Sequence, residues 1–216
     1  MKQKYDLIVF DWDGTLMDSE QKIVRCFEAA AEDAGVPHPG TEAISGIIGL
    51  GMTEAVEALM PEADAGQREA VIDAYREHFL IHDKTEMPLF PGVKRGLSEL
   101  KGMGYQLAVA TGKARRGLDR VLEQWQMHDH FAATRCADEA GSKPHPGMLR
   151  DILEATQVSL ERAIMVGDTS FDMEMAQKAG MDGLAVSYGV HGRERLLPYQ
   201  PLACLDSFEE VCVWLS

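Results

Sequence analysis

The chain has 216 residues, 45% hydrophobic and 26% charged, an ordinary balance for a packed core and the length of one large domain or a core with a smaller insertion. The formal net charge of -14 disfavours nucleic acid and anionic membranes as partners, and it means that any anion site must win locally. No apolar run is long enough to span a bilayer; the four cysteines (Cys26, Cys136, Cys204, Cys212) lack close-pair metal spacing and, with no secretory leader, are expected as reduced thiols of a cytoplasmic protein.

Leu7-Ile8-Val9-Phe10 is a short apolar run entered from polar Lys4 and Asp6, and it predicts a buried strand. Asp11-Trp12-Asp13-Gly14-Thr15 follows at its C-terminal end. Alternate strand residues share a face, so Asp11 and Asp13 aim the same way if the strand persists. Gly14 permits a sharp turn whose amides can point at an anion. Two like charges this close are costly unless a cation or a proton relieves them, which favours a metal or acid–base site over a solvated turn.

Residues 20–34 then predict a helix, with Ile23, Phe27, Ala30, Ala31 and Ala34 at helical spacing and Gly35 as its stop. Pro37 and Pro39 mark a loop, and Ile44 to Gly51 is apolar and punctuated by glycine. Thr53 is a candidate cap for a helix to Met60, and residues 64–82 carry Val71, Ile72, Tyr75 and Phe79 on one side. No convincing strand lies between Asp18 and Glu86.

Pro88, Pro91 and Gly92 mark a boundary, after which the pattern changes. Helices are predicted over 93–103, 113–125, 147–155 and 172–179, with a last one ending in Trp214. Strands are predicted over 105–110, 132–136, 162–166, 184–186 and 203–205. Alternating strands and helices imply right-handed crossovers and a doubly wound parallel sheet, an α/β fold. The expected division is a core of residues 1–17 and 87–216 and an inserted all-helical domain of residues 18–86.

Ligands of an open parallel sheet bind outside the C-terminal ends of its strands. Those ends here carry Asp11 and Asp13, then Thr111 and Gly112, then Asp168 with Asp172 one helical turn on; Ser142-Lys143-Pro144 lies in a loop between. Carboxylates with no His–Cys cluster suit Mg²⁺. Lysine and hydroxyl groups suit the remaining oxygens of a phosphoryl group.

The sequence resembles the haloacid dehalogenase superfamily in its phosphatase branch, over nearly its whole length. Asp11-Trp12-Asp13-Gly14-Thr15 is similar to the first motif, Val109-Ala110-Thr111-Gly112 to the second, Lys143-Pro144 to the third, and Gly167-Asp168-Thr169-Ser170-Phe171-Asp172 to the fourth. The inserted block resembles the helical cap of phosphoglycolate-phosphatase-like members. The resemblance implies that Asp11 attacks phosphorus to form an aspartyl-phosphate and that Asp13 acts as general acid, then base. It implies Mg²⁺ held by Asp11, Asp168 and Asp13, the last through its backbone carbonyl. Gly14, Thr15, Thr111, Gly112 and Lys143 would bind the phosphoryl group. Asp172 would orient Lys143 or a metal-bound water, and Gly49-Leu50-Gly51 of the cap would face the substrate. An ordinary carboxyl is protonated only about one time in a thousand at neutral pH, so burial under a closed cap and repulsion from neighbouring carboxylates are expected to prepare the acid.

Bland alternatives stand beside these roles. Thr111 could cap the next helix, Lys143 alone would pass for a solvated loop lysine, Asp172 for a first-turn helix acid, and Gly49-Leu50-Gly51 for a plain helix junction. His128 and His130 are expected in a solvated loop, Met165, Met173 and Met175 as core filler, and residues 188–195 as a basic rim near the site or, preferred, a surface loop. The resulting expectation is a Mg²⁺-dependent phosphatase of a small phosphorylated metabolite, phosphoglycolate-like or a sugar phosphate, as a monomer or weak dimer. Its rivals are a β-phosphoglucomutase-like mutase, a receiver-type signalling module, which would be shorter and lack a cap, and an inactive scaffold of the same fold.

Overall fold

The computed structural model describes residues 4–216. Six parallel strands form one sheet in the order β3-β2-β1-β4-β5-β6: β1 Leu7–Phe10, β2 Gln106–Thr111, β3 Ala133–Cys136, β4 Ala163–Gly167, β5 Asp182–Val186 and β6 Cys204–Leu205. The order reverses direction at β1, with β2 on one side and β4 on the other, so the expected site lies at the switch point of the sheet.

Strand β1 is buried throughout, and its residues alternate between two cores. Ile8 and Phe10 pack with α5 (Val93–Gly102), α6 (Arg115–Trp125) and α11 (Phe208–Leu215). Leu7 and Val9 pack with α8 (Gly147–Thr156) and α9 (Ser170–Ala179). Each such buried side chain contributes about 1.5–3 kcal/mol of apolar transfer, which pins the register that presents Asp11 at the strand end. Met165, Met173 and Met175 are buried filler, as expected.

Between β1 and β2 come α1 (Glu20–Asp33), α2 (Thr41–Ser45), α3 (Met52–Leu59) and α4 (Ala65–Glu77). They gather an apolar cluster of their own, including Ile23, Phe27, Ile48, Val56, Val71 and Tyr75. The chain leaves and re-enters the sheet side by side: Phe90 N–H donates to Leu16 O (3.0 Å) and Asp18 N–H to Pro88 O (2.9 Å). Three local expectations are corrected. Thr53 lies inside α3, whose N-cap is Gly51 in extended backbone. The predicted helix over 64–82 is α-helical only to Glu77 and widens to a π turn, His78–His82. Lys113 stays outside α6, because Ala114 takes the extended N-cap conformation.

Short helices α7 (Ala137–Ala140) and α10 (Arg193–Leu196) complete the chain. In the segment 188–195, expected as a surface loop, residues 188–192 instead pack inward, while residues 193–195 are exposed. Tyr188 Oη donates to Thr15 O (2.8 Å), and His191 is 1% exposed. His128 and His130 form a 3-10 turn and belong to no metal-ligand group among the described residues. Among those residues, no helix is long and apolar enough to cross a membrane.

Candidate active site

Asp11, the residue after β1, Lys143 before α8, and Asp168 and Asp172 around the start of α9 meet in the interior. Lys143 Nζ lies 2.6 Å from Asp11 Oδ1 and 2.7 Å from Asp172 Oδ1, with all three side chains 0–1% exposed. These are close charge contacts rather than well-angled hydrogen bonds, since neither carboxylate oxygen nor the ammonium has a hydrogen-bond partner among the described residues. The far oxygen of Asp172 accepts from Thr169 N–H (3.0 Å) and Thr169 Oγ1 (2.7 Å), the capping box of α9. Asp172 thus caps its helix with one oxygen and lies against Lys143 with the other.

Asp168 is fixed at both oxygens. Thr15 Oγ1 donates to Oδ1 (2.7 Å) and Val190 N–H to Oδ2 (2.8 Å). Two glycines press on this carboxylate: a Cβ at Gly14, which has φ +81, would meet Asp168 Oδ2 at 2.1 Å, and one at Gly189 at 2.3 Å. Gly14 and Thr15 thus stand behind Asp168 and buttress it, where the resemblance implied contact with substrate.

The electrostatics follow from burial. Burial drives the Asp11 carboxyl well above its usual range; Lys143 opposes this, and Asp172 and Asp168 add to it. Asp168 is pushed up to about 7 by burial first and Asp172 second, against the bonds from Val190 and Thr15. For Lys143, burial works against the charge, but Asp11 and Asp172 outweigh it and raise its pKa. Carboxylate oxygens of Asp11, Asp168 and Asp172 come within 4.8 Å of one another, three acids against one ammonium. Asp11 Oδ2 is buried with no hydrogen-bond partner among the described residues. Excess negative charge on hard oxygens fits a divalent cation such as Mg²⁺.

Asp13 departs from expectation. Its side chain is not among those three acids, whose third member is Asp172; the resemblance implied Asp13 as a ligand only through its backbone carbonyl. Ser19 Oγ donates to Asp13 Oδ1 (2.5 Å), and Lys113 Nζ lies 2.9 Å from the same oxygen. Its neighbours are a hydroxyl and a lysine rather than repelling carboxylates. Asp11 and Asp13 do open on one cavity, of about 390 Å³, beneath the inserted helices.

Thr111 is buried, and its hydroxyl accepts from Lys113 N–H (3.2 Å), tightening the turn before α6 without capping it. The Gly49-Leu50-Gly51 loop lies directly on the sheet end. Gly51 N–H donates to Ser142 Oγ (2.7 Å), and a Cβ at Gly112 would meet the carbonyl oxygens of Gly49 and Leu50 at 2.5 Å. Only a glycine at 112 admits this approach.

Sequence reasoning gave no role to Ser19, Lys113, Ser142 or Val190, and weighed His191 only as part of a basic rim or surface loop. Each sits beside an expected residue in space; only Lys113 and Ser142 also adjoin a motif in the chain. His191 Nδ1 accepts from Ser170 N–H (3.0 Å), which puts the ring proton on Nε2, 3.2 Å from Gly46 O of the insertion. Burial first, then Arg195, lowers its pKa to about 4.

The family model for haloacid dehalogenase-like hydrolases matches residues 8–186. The chain belongs to that family. Among haloacid dehalogenase-like hydrolases it is 36% identical over 213 residues, 95% of this chain and 91% of the relative, to the protein named "Probable phosphatase IndB" of Dickeya dadantii. It is 32% identical to a phosphoglycolate phosphatase of Aliivibrio fischeri, covering 100% of this chain and 99% of that one. A solved haloacid dehalogenase-like protein of Streptococcus pneumoniae, SP0104, superposes with a TM-score of 0.86 at 28% identity over 99% of each chain.

Proposed function

We propose that this chain is a Mg²⁺-dependent phosphatase of small phosphorylated metabolites, acting through an aspartyl-phosphate on Asp11. The observation that carries this is Lys143 Nζ set between Asp11 and Asp172 at 2.6 and 2.7 Å, directly behind Asp11, which with Asp13 lines the cavity. Relatives named for phosphatase activity support it.

Asp11 attacks phosphorus in line. Its Oδ–P bond forms as the ester P–O bond breaks, and Asp13 gives a proton to the leaving oxygen. Water then attacks the same phosphorus, Asp13 takes its proton, and Asp11 is released with inorganic phosphate. Ser19 and Lys113 both hold Asp13 Oδ1, which leaves Oδ2 for the proton transfer. Lys143, with Thr111 and the Gly112 backbone, grips phosphoryl oxygens, and Asp172 positions Lys143. Mg²⁺, when held by Asp11 and Asp168, neutralises phosphoryl charge and keeps Asp11 ionised.

Residues 18–86 act as a cap on the core of 1–17 and 87–216. The paired crossing segments around Met17 and Leu89 serve as its hinge, and Gly49-Leu50-Gly51 closes over the site. A cytoplasmic setting goes with this reading, since a reducing compartment suits the four free cysteines.

The test is phosphate release from 4-nitrophenyl phosphate and a panel of phosphorylated metabolites. Turnover is expected with Mg²⁺, is abolished by EDTA, and needs no bisphosphate activator. No release with any metal would leave the inactive-scaffold reading; release only with a bisphosphate would favour the mutase.

A further inference from the structure

The cavity above Asp11 and Asp13 is walled on the cap side almost wholly by carbon. Ile23, Phe27, Ile47, Leu50, Tyr75 and Phe79 line it. Three of these make a row of rings: Phe27 and Tyr75 have centroids 4.4 Å apart, and Tyr75 and Phe79 lie 5.6 Å apart with 25° between their planes. The π turn at His78–His82 carries Phe79 into this wall. The one charged side chain the cap adds is Arg76, which is 62% exposed and paired with Asp73 at 2.9 Å. From the core come Lys113, committed to Asp13 with its ammonium 5.2 Å from the Phe79 ring centroid, and Arg116, exposed at the rim.

Such a wall selects against polar cargo. A two-carbon acid such as phosphoglycolate would place its second carboxylate near Asp13 with no buried cap cation to meet it. A sugar would lose water from its hydroxyls with few partners in return. A flat aromatic body meets rings of matching shape, in a volume of about 390 Å³ that lies within the ordinary range for small organic ligands.

Resting on the reading of this cavity as the monoester site, we propose that the substrates are phosphate monoesters with an aromatic body, the ring lying against Tyr75 and Phe79, with Phe27 packed behind Tyr75, while the phosphoryl group reaches Asp11. Phe79 is then a specificity-determining residue, and the cap sorts substrates by rejecting those with a charged or hydroxylated body.

Calorimetric titration of the full chain with Mg²⁺ tests this with two non-hydrolysable probes, (1-naphthylmethyl)phosphonate and 3-phosphonopropionate. The naphthyl probe is expected to bind at least roughly tenfold more tightly. In Phe79→Ser the preference should shrink to about threefold or less, with the weaker probe little changed. Equal or tighter binding of 3-phosphonopropionate by the unmodified chain, or no binding of either probe, overturns the assignment without recourse to a variant. Phosphate release from 1-naphthyl phosphate and from 2-phosphoglycolate in the same preparation separates the two claims. Tight naphthyl-phosphonate binding with no release from either ester supports the cavity assignment and sinks the phosphatase. A kcat/KM for phosphoglycolate equal to or above that for naphthyl phosphate sinks the assignment and keeps the phosphatase.

Discussion

Lys143→Met keeps most of the aliphatic stem and deletes the one cation among Asp11, Asp168 and Asp172. In the intact protein the ammonium touches two carboxylates at 2.6 and 2.7 Å, and none of the three side chains is more than 1% exposed. Removing one partner of a buried ion pair leaves an uncompensated charge, at a cost of about 3–5 kcal/mol. Against a whole stability of about 5–15 kcal/mol that is a large fraction. It corresponds to a fall in melting temperature of roughly 6–20 °C for a chain of this size. Metal-free protein unfolded by urea near neutral pH gives the measurement. Asp172→Asn added to Lys143→Met should recover part of the loss, because it removes one of the stranded charges; the coupling expected between such neighbours is about 0.5–3 kcal/mol. A single variant within about 1 kcal/mol of the parent, or a double variant whose losses simply add, would show that the ammonium does not hold these carboxylates together.

Three further outcomes follow from neighbouring contacts. Asp13→Asn should still bind Mg²⁺ and phosphonate but lose turnover by about 10²–10⁴-fold, read from kcat with 4-nitrophenyl phosphate; parent-like turnover removes Asp13 from proton transfer. Gly14→Ala forces a Cβ to 2.1 Å from Asp168 Oδ2 at φ +81, so a loss of about 1–3 kcal/mol and a weaker stabilisation by Mg²⁺ are expected in thermal melts. Unchanged melts would mean that the turn relaxes freely. For His191, folding lowers the pKa from 6.5 to about 4, so the unfolded chain takes the proton first. The stability it brings is present above about pH 6.5 and is lost as pH falls toward 4. His191→Gln should therefore flatten the drop in melting temperature over that window, and an equally steep drop would assign acid sensitivity to other groups.

Much of the architecture was open to inspection in the chain itself. The run at 7–10, the alternation after residue 87 and the strand-free stretch from Asp18 to Glu86 each reflect local rules: burial, period and punctuation. The same rules misjudged short-range detail where tertiary contacts decide. Segment 188–195 looked like surface because it is rich in glycine and basic residues. Residues 188–192 are held inward because Gly189 lies on Asp168 and His191 joins Ser170 to Gly46, while residues 193–195 stay at the surface.

Asp11, Lys143, Asp168 and Asp172 were recognisable because each sits in a motif at a strand end, and a parallel sheet brings such ends together whatever its surface does. Lys113 and Ser19 were not, since nothing in their local spacing tells a lysine or serine that reaches Asp13 from one in solvent. Spacing alone left Asp11 and Asp13 as a matched pair. Folding separated them: Asp11 went to the buried acids and Lys143, Asp13 to Lys113 and Ser19. One-dimensional order determines which strand ends converge, because hydrophobic period dictates sheet topology. Which charge stands beside which, and the carbon-lined wall the helices place above them, depends on packing between segments far apart in the chain, and only the folded molecule decides that.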